Sequence, residues 1–341
     1  VIAWQRKHGR NDLPWQRSRD PYLIWVSEIM LQQTQVATVI PYFERFLARF
    51  PDVAALASAE EDAVLALWSG LGYYSRGRNL LRAARLVMER HGGRFPRTAP
   101  ELEALPGIGR STAAAIAVFS AGERRAILDG NVKRVLARCF GVAGHSGEGA
   151  VLKRLWELAE SLLPERDMGR YTQGLMDLGA TVCLRSRPRC ECCPVAAGCV
   201  ALKEGRVAEL PSPRPRRPGP QRETVMLLLL RGGEILLEKR PPSGVWGGLW
   251  SLPEAAPGEN LRELCRRRYG AEIAVSEELP ALDHAFTHFR LRIHPRRVRA
   301  RSAHPAVQEP GTMWVNVDDA LGAALPAPVR RLIRAHARRD A

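Results

Sequence analysis

Leu105–Ala113 reads LPGIGRSTA, and its punctuation decides how the first half of the chain is built. Pro106 shapes the approach, while Gly107 and Gly109 let the backbone turn tightly and come close to another surface. A helix begins around Arg110–Thr112, and its first amides, lacking intrahelical partners, can bind a phosphate. Ile108 packs inside the turn. A glycine pair joining two helices is weak evidence by itself, because helix connections often contain glycine.

Outward from this hairpin, Tyr22–Thr34, Glu60–Trp68, Asn79–Glu89, Ser111–Phe119, Val132–Phe140 and Gly149–Leu162 all suit helices, with Pro and Gly between them. Runs of β-branched residues are short, which argues against a parallel-sheet enzyme. Residues 1–205 therefore read as one mainly helical region, with the hairpin at 102–115. Leu210–Gln221, LPSPRPRRPGPQ, cannot form a core, and an extended linker is expected over 206–222. Composition then changes. Thr224–Leu230 (TVMLLLL), a turn at 231–234 and Ile235–Glu238 suit a hairpin, in which Gln221 and Arg222 lie before the strand. Asn260–Arg268 and Pro328–Arg338 suit helices, and Phe286–Ile293 and Met313–Val317 suit strands. Residues 223–341 are expected to form an α+β domain with an antiparallel or mixed sheet.

The 341 residues suffice for two cored domains, and the formal net charge is +15. A positive field favours a polyanionic partner, although an arginine-rich solvated surface explains the same number. No stretch reaches the length of a membrane span. No secretory signal is evident from Val1 onward.

Five of the seven cysteines lie between Cys183 and Cys199. Four follow the spacing Cys183-x6-Cys190-x2-Cys193-x5-Cys199, with Cys192 as an extra thiol inside the loop. Such clustering points to a metal or cluster site in a reducing compartment, and spacing alone does not choose between zinc and an iron–sulfur cluster. Arg185, Arg187 and Arg189 offset thiolate charge and can carry the loop toward a phosphate.

Two carboxylates attract notice. In Ala126–Cys139, AILDGNVKRVLARC, Asp129 directly precedes a helix and is a good cap. Capping does not exclude chemistry at the same carboxylate. In Asp20–Phe43, DPYLIWVSEIMLQQTQVATVIPYF, Glu28 has apolar neighbours on nearly every side. Burial there would favour its neutral acid, which can donate a proton to a leaving group; a surface glutamate on an amphipathic helix is the rival. Gln32 and Gln33 continue that helix, either to read base edges or to cap its end. Tyr73, in WSGLGYYSRGRN, is either a core tyrosine or a stacking platform.

The cysteine spacing resembles the [4Fe–4S] loop of the endonuclease III and adenine glycosylase superfamily, and LPGIGRSTA resembles its helix-hairpin-helix motif. The resemblance implies a multidomain protein: a mainly α helix-hairpin-helix glycosylase with a cluster loop at 183–199, followed by an α+β Nudix-like (MutT-like) domain. It implies one [4Fe–4S] cluster on Cys183, Cys190, Cys193 and Cys199, with Gly107, Gly109 and Lys133 near DNA phosphates. Asp20–Phe43 is closely similar to the adenine-DNA glycosylases, in which Glu28 falls at the catalytic glutamate and Asp129 at the catalytic aspartate. By the same resemblance, Asn131 supports the pocket, Gln33 approaches the lesion base and Tyr73 wedges beside the opposite base. Ser111 stands where bifunctional relatives carry a Schiff-base lysine, so strand cleavage through lysine is not expected.

In the second domain, Arg262-Glu263-Leu264 keeps part of a Nudix box. Cys265-Arg266-Arg267-Arg268 lacks its following glutamates, so metal-dependent nucleotide hydrolysis is not expected. Phe286-Thr287-His288 matches the family's lesion-reading loop, with Thr287 keeping a hydroxyl. The implied activity is monofunctional removal of adenine mispaired with 8-oxoguanine or guanine in double-stranded DNA, leaving an abasic site in base excision repair. The implied setting is a monomer in bacterial cytoplasm at the nucleoid, with no membrane partner. A glycosylase of the same superfamily for damaged pyrimidines or thymine mismatches, and a noncatalytic DNA-binding or redox module, are the rival readings.

Overall fold

Helix starts follow local chemistry. Asp20 accepts a hydrogen bond from the Tyr22 amide (2.9 Å) and Pro21 takes the first helical position. Asp52 accepts from the Ala55 amide (2.8 Å), and Asp129 from the Val132 amide (2.7 Å). A computed structural model describes residues 1–213, 219–286, 288–303 and 311–337. Within them the chain runs through α1 (Ile2–His8), α2 (Pro21–Leu31), α3 (Val36–Arg49), α4 (Val53–Ala57), α5 (Glu61–Trp68), α6 (Ser75–His91), α7 (Ala99–Glu103) and α8 (Arg110–Ala121). It continues through α9 (Gly130–Cys139), α10 (Gly149–Ser161), α11 (Met168–Asp177) and α12 (Val200–Lys203).

The chain divides into two compact units, Val1–Ala59 with Asn79–Pro215, and Glu60–Arg78 with Arg216–Ala341. In the first, α2 is the buried centre: Ile24, Trp25, Val26, Ile29 and Met30 are all at most 3% exposed, so both of its sides are packed. It lies on α8, which also contacts α7 across the glycine hairpin. A second core joins Ile127, Leu128, Val132 and Leu136 to Leu155 and Leu175. The expected helix at Tyr22–Thr34 ends earlier, at Leu31, and α3 and α11 were not anticipated at all.

Among the described residues, the second unit is built on an eight-stranded mixed sheet of β1 (Gln221–Arg231), β2 (Glu234–Lys239), β3 (Trp250–Ser251), β4 (Glu254–Ala255), β5 (Ala271–Glu278), β6 (Leu282–Ala285), β7 (Arg290–Ala303) and β8 (Thr312–Asn316). β1 and β7 run parallel in register from Gln221↔Arg290 to Leu230↔Arg299. β1 is buried on both faces, which explains its unbroken VMLLLL. Met226 and Leu228 face a core with Leu332 and Ile333 of α15 (Ala327–His336), reached after α13 (Leu261–Tyr269) and α14 (Val317–Ala320). Val225, Leu227 and Leu229 face α13 through Leu264, Cys265 and Tyr269.

Three boundaries differ from the sequence reading. Residues 60–78 belong to the second unit because Leu65 is buried in its core and Asp62 pairs with Lys239 and the Trp250 indole N–H. Ser69 donates to Leu325 O (2.6 Å) and accepts from Arg330 (2.9 Å). The core-free stretch is shorter than 206–222: Leu210 is 2% exposed with its carbonyl held by Arg138 (2.8 Å), and Gln221 already opens β1. Strand pairing starts at Arg290 rather than Phe286, because Phe286 N donates to Phe289 O (2.9 Å) and closes a turn.

Candidate active site

The first unit contains a wide cleft lined by Glu28, Gln33, Ser111, Asp129 and Asn131, together with Arg10, Asn11, Gln16, Arg19, Arg134, Arg170 and Gln173. With Gln32, which also lines it, six residues singled out from sequence thus meet in one place, although they come from α2, the turn after it, α8 and α9.

Glu28 is half-buried in the cleft wall among the apolar residues of α2. Burial, reinforced by the negative charge of Asp129, pushes its carboxyl from 4.5 up to about 8. A neutral acid at physiological pH follows. Asp129 caps α9. Burial raises its pKa as well, and this is opposed by hydrogen bonds from the Val132 and Asn131 amides and by the charges of Arg134 and Lys133. Both readings of Asp129 coexist: the cap bond through Oδ1 fixes the carboxylate at the cleft edge.

Ser111 is tied to the same segment, its Oγ accepting from Leu128 N at 2.9 Å. Asn131 accepts from Arg134 Nη2 (2.9 Å), which also donates to Gly179 O (2.6 Å), while Nε donates to Cys183 O (2.8 Å). Gly179 allows this approach, since a Cβ there would lie 2.5 Å from Asn131 Cβ. Gln32 and Gln33 do not continue α2. Gln32 is its C-cap, and Gln33 is exposed with φ 58°, a left-handed backbone uncommon outside glycine. Gln33 lines the cleft in this strained conformation.

Sequence reasoning missed Arg170 and Gln173 because α11 was unassigned, and Arg10, Asn11, Gln16 and Arg19 because no local pattern ties that segment to the cleft. Asp177, fully buried on α11, accepts from Arg10 Nε (2.7 Å), Arg10 N (2.9 Å) and Gln173 (2.9 Å). This ion pair brings the segment after α1 to the cleft. A buried aspartate near an amino-terminal arginine is a signal visible only once the fold pairs them.

In the hairpin, Gly107 has φ 81°, and a Cβ would lie 2.8 Å from Asn79 Cβ. Gly109 is the N-cap of α8 and has open space where a side chain would project. Ile108 is 5% exposed. Lys133 is half-buried and is not among the cleft-lining residues.

A second, small cavity is lined by Cys183, Cys190, Cys193 and Cys199, with walls from Val135, Leu178, Val182 and Leu202. Cys139 of α9 also lines it, a fifth thiol that spacing did not indicate. Cys192 is exposed and lies outside the lining. Arg138, 3% exposed, donates to Leu210 O, Leu184 O (2.7 Å) and Arg185 O, and Nη1 lies 3.4 Å from Cys183 Sγ. Among the described residues no three His, Cys, Asp or Glu side chains converge on a single-ion site. Of the five thiols around this cavity, the four of the 183–199 loop, with a buried guanidinium against the Cys183 sulfur, fit the donor chemistry of an iron–sulfur cluster.

In the second unit, Tyr73 is 49% exposed with φ 46°, directly after Gly70 and Gly72 at positive φ, and Arg76 lies over its ring. It is not a core tyrosine. Phe286 is half-buried between the rings of His284 and Phe289, and His288 is exposed. Burial lowers the His284 pKa and keeps that ring neutral. Thr287 lies outside the described residues. On α13, Glu263 is followed by Cys265, buried in the core, and by three arginines.

A glycine hairpin, a paired-carboxyl cleft and a four-thiol cavity on one helical unit define a base-excision glycosylase scaffold. Residues 26–161 match the HhH-GPD superfamily of base excision DNA repair proteins, and residues 224–335 match the NUDIX domain. A solved thermostable thymine-DNA glycosylase is 30% identical, with a TM-score of 0.54 over 60% of this chain and 93% of that one. An endonuclease III–DNA complex shares the fold at 20% identity and a TM-score of 0.51, over 60% of this chain and 92% of that one. The chain is 35% identical to the adenine DNA glycosylase of Buchnera aphidicola subsp. Acyrthosiphon pisum, over 98% of this chain and 95% of that protein. It is 33% identical to the human adenine DNA glycosylase, over 98% of this chain and 73% of that protein. This chain belongs to the adenine DNA glycosylase family. Among the described residues no helix is long and apolar enough to cross a membrane.

Proposed function

We propose that this enzyme is a monofunctional glycosylase that removes adenine mispaired with 8-oxoguanine or guanine in duplex DNA. The observation that carries this reading is the pairing, in one cleft, of a neutral Glu28 with a capped Asp129. The extruded adenosine enters the cleft, and Glu28 delivers its proton to adenine N7. The C1′–N9 bond breaks, its electron pair leaving with adenine. Asp129 stabilises the cationic deoxyribose. Water adds to C1′ and gives its proton to the Glu28 carboxylate, which regenerates the acid and leaves an abasic site.

Ser111, held to Leu128 N, offers no amine, so the cycle ends at base removal. Asn131 supports the Asp129 side of the pocket. Gln33 and Tyr73, both in strained backbone at exposed positions, suit contacts with displaced bases. Gly107 and Gly109 bring the α8 amides to a phosphate, and Lys133 adds charge. Phe286, Thr287 and His288 read the base opposite adenine.

Cys183, Cys190, Cys193 and Cys199 would hold one [4Fe–4S] cluster, which when bound cross-links the 183–199 loop. Arg138 steadies that loop through its carbonyls. The enzyme acts as a monomer in the bacterial cytoplasm at the nucleoid.

The test is adenine release from 8-oxoguanine:adenine, guanine:adenine and thymine:adenine duplexes by the intact protein, Glu28→Gln and Asp129→Asn. Release from the first two by the intact protein alone is expected. A borohydride-trapped protein–DNA adduct, or no release from either mispair, would refute the reading.

A further inference from the structure

Pro241–Leu249, PPSGVWGGL, connects β2 to β3 and takes no part in the chemistry above. Its backbone is strained. Trp246 has φ 54°, a conformation bulky L residues rarely adopt, between Gly244 at φ 91° and Gly248 at φ 74°. Gly247 admits no side chain, since a Cβ there would lie 2.5 Å from Pro242 O. Leu249 N donates to Trp246 O (3.0 Å), and Arg78 donates to Gly247 O. Such strain persists only where the surroundings over-determine it.

The ring contacts show what the strained turn accomplishes. The indole is 8% exposed, with its centroid 5.7 Å from His284 and 5.4 Å from Phe286. His284 and Phe286 meet edge to face at 4.7 Å, and Phe286 stacks on Phe289 at 4.4 Å. Arg222 covers the Phe289 ring at 4.7 Å. From below, Gly219 passes so close that a Cβ would lie 2.6 Å from His288 O. The turn bearing exposed His288 is therefore supported by an aromatic stack whose base is Trp246.

We propose that Trp246 is a positioning residue for His284 and Phe286, and through them for His288. The glycine-framed loop drives the indole against His284 and Phe286, and so preforms the surface from which His288 meets the base opposite adenine. This rests on the reading of 286–288 as the lesion-reading turn. Side chains already held in one packing arrangement lose little entropy when DNA arrives. Without the indole that ordering is charged to the contact with 8-oxoguanine, whereas phosphate contacts elsewhere keep their strength. Discrimination therefore falls before general DNA affinity does.

The experiment compares the full-length protein with Trp246→Ala and Trp246→Phe. Amide hydrogen exchange is followed without DNA, and affinities are measured for 8-oxoguanine:adenine and guanine:adenine duplexes. In Trp246→Ala the Phe286 amide is expected to exchange about tenfold faster or more, while the Val298 amide of β7 keeps its protection. The affinity ratio between the two duplexes is expected to fall about tenfold. Trp246→Phe retains most of both properties. Unchanged protection at Phe286, or equal loss of affinity for both duplexes, overturns the proposal. Absence of any 8-oxoguanine preference in the intact protein would instead remove the lesion-reading assignment and the discriminating role with it, and the exchange data would still decide whether Trp246 holds the turn.

Discussion

Glu28 and Asp129 line one cleft, and the Asp129 charge adds to burial in raising the Glu28 carboxyl to about 8. The nearby Asp129 charge helps Glu28 keep its proton, while burial raises the Asp129 pKa too, opposed by amide hydrogen bonds and neighbouring cations.

A bell-shaped pH profile for single-turnover base release follows. Its alkaline limb should fall near pH 8 as Glu28 ionises, and its acid limb should lie above the usual aspartate range because the Asp129 pKa is raised. Glu28→Gln should lose about a hundredfold or more in rate and abolish the alkaline limb. A limb that survives the substitution would assign it to another group.

The same shift bears on stability. Between 4.5 and about 8 the folded state binds more protons than the unfolded state, so Glu28 makes stability fall as pH rises through that window. Glu28→Gln removes this ionisation. Its melting temperature relative to the parent should therefore be higher above pH 8 than near pH 4.5, which thermal denaturation at the two extremes checks.

Asp129 allows capping and catalysis to be separated. Asparagine caps as well as aspartate, so Asp129→Asn should change stability by less than about 0.5 kcal/mol, whereas Asp129→Ala should cost about 1 kcal/mol. Both should lose base release. If Asp129→Asn keeps its rate, the residue is a cap and nothing more.

The two hairpin glycines should behave differently. Gly107→Ala meets Asn79 and an unfavourable φ, and should destabilise by about 1 kcal/mol or more. Gly109→Ala projects into open space at ordinary φ, so denaturant midpoints should move little while duplex affinity drops. Equal folding defects in both would deny Gly109 a DNA-facing role.

At the thiol cavity, Cys192→Ser should leave iron content and visible absorbance intact, whereas Cys199→Ser should lose both. Arg138→Ala strips the buried Leu210 carbonyl and two part-buried carbonyls of their donor and should destabilise by about 2 kcal/mol.

Much of this was legible in residues taken locally. Asp129 caps α9, Gly107 turns the hairpin and TVMLLLL forms a strand of a hairpin because backbone sterics, capping and hydrophobic patterning act within a few residues. Glu28 was recognisable by its apolar neighbours on the same helix. The end of α2 was not: QQTQ has no glycine or proline to announce a stop, yet the helix ends at Leu31 and Gln33 adopts a left-handed backbone.

The sequence by itself determined the local elements and the residue types able to do the chemistry, together with the clustering of thiols that lie within seventeen positions of each other. Only the tertiary structure decided that Glu28, Ser111 and Asp129 share one cleft, that Arg10 reaches buried Asp177, and that residues 60–78 pack with the second unit. Those relations depend on side chains up to 261 positions apart, as in Arg330 to Ser69. Burial of apolar surface is non-directional and specifies no partner in advance, so distant pairings emerge only when the whole core closes.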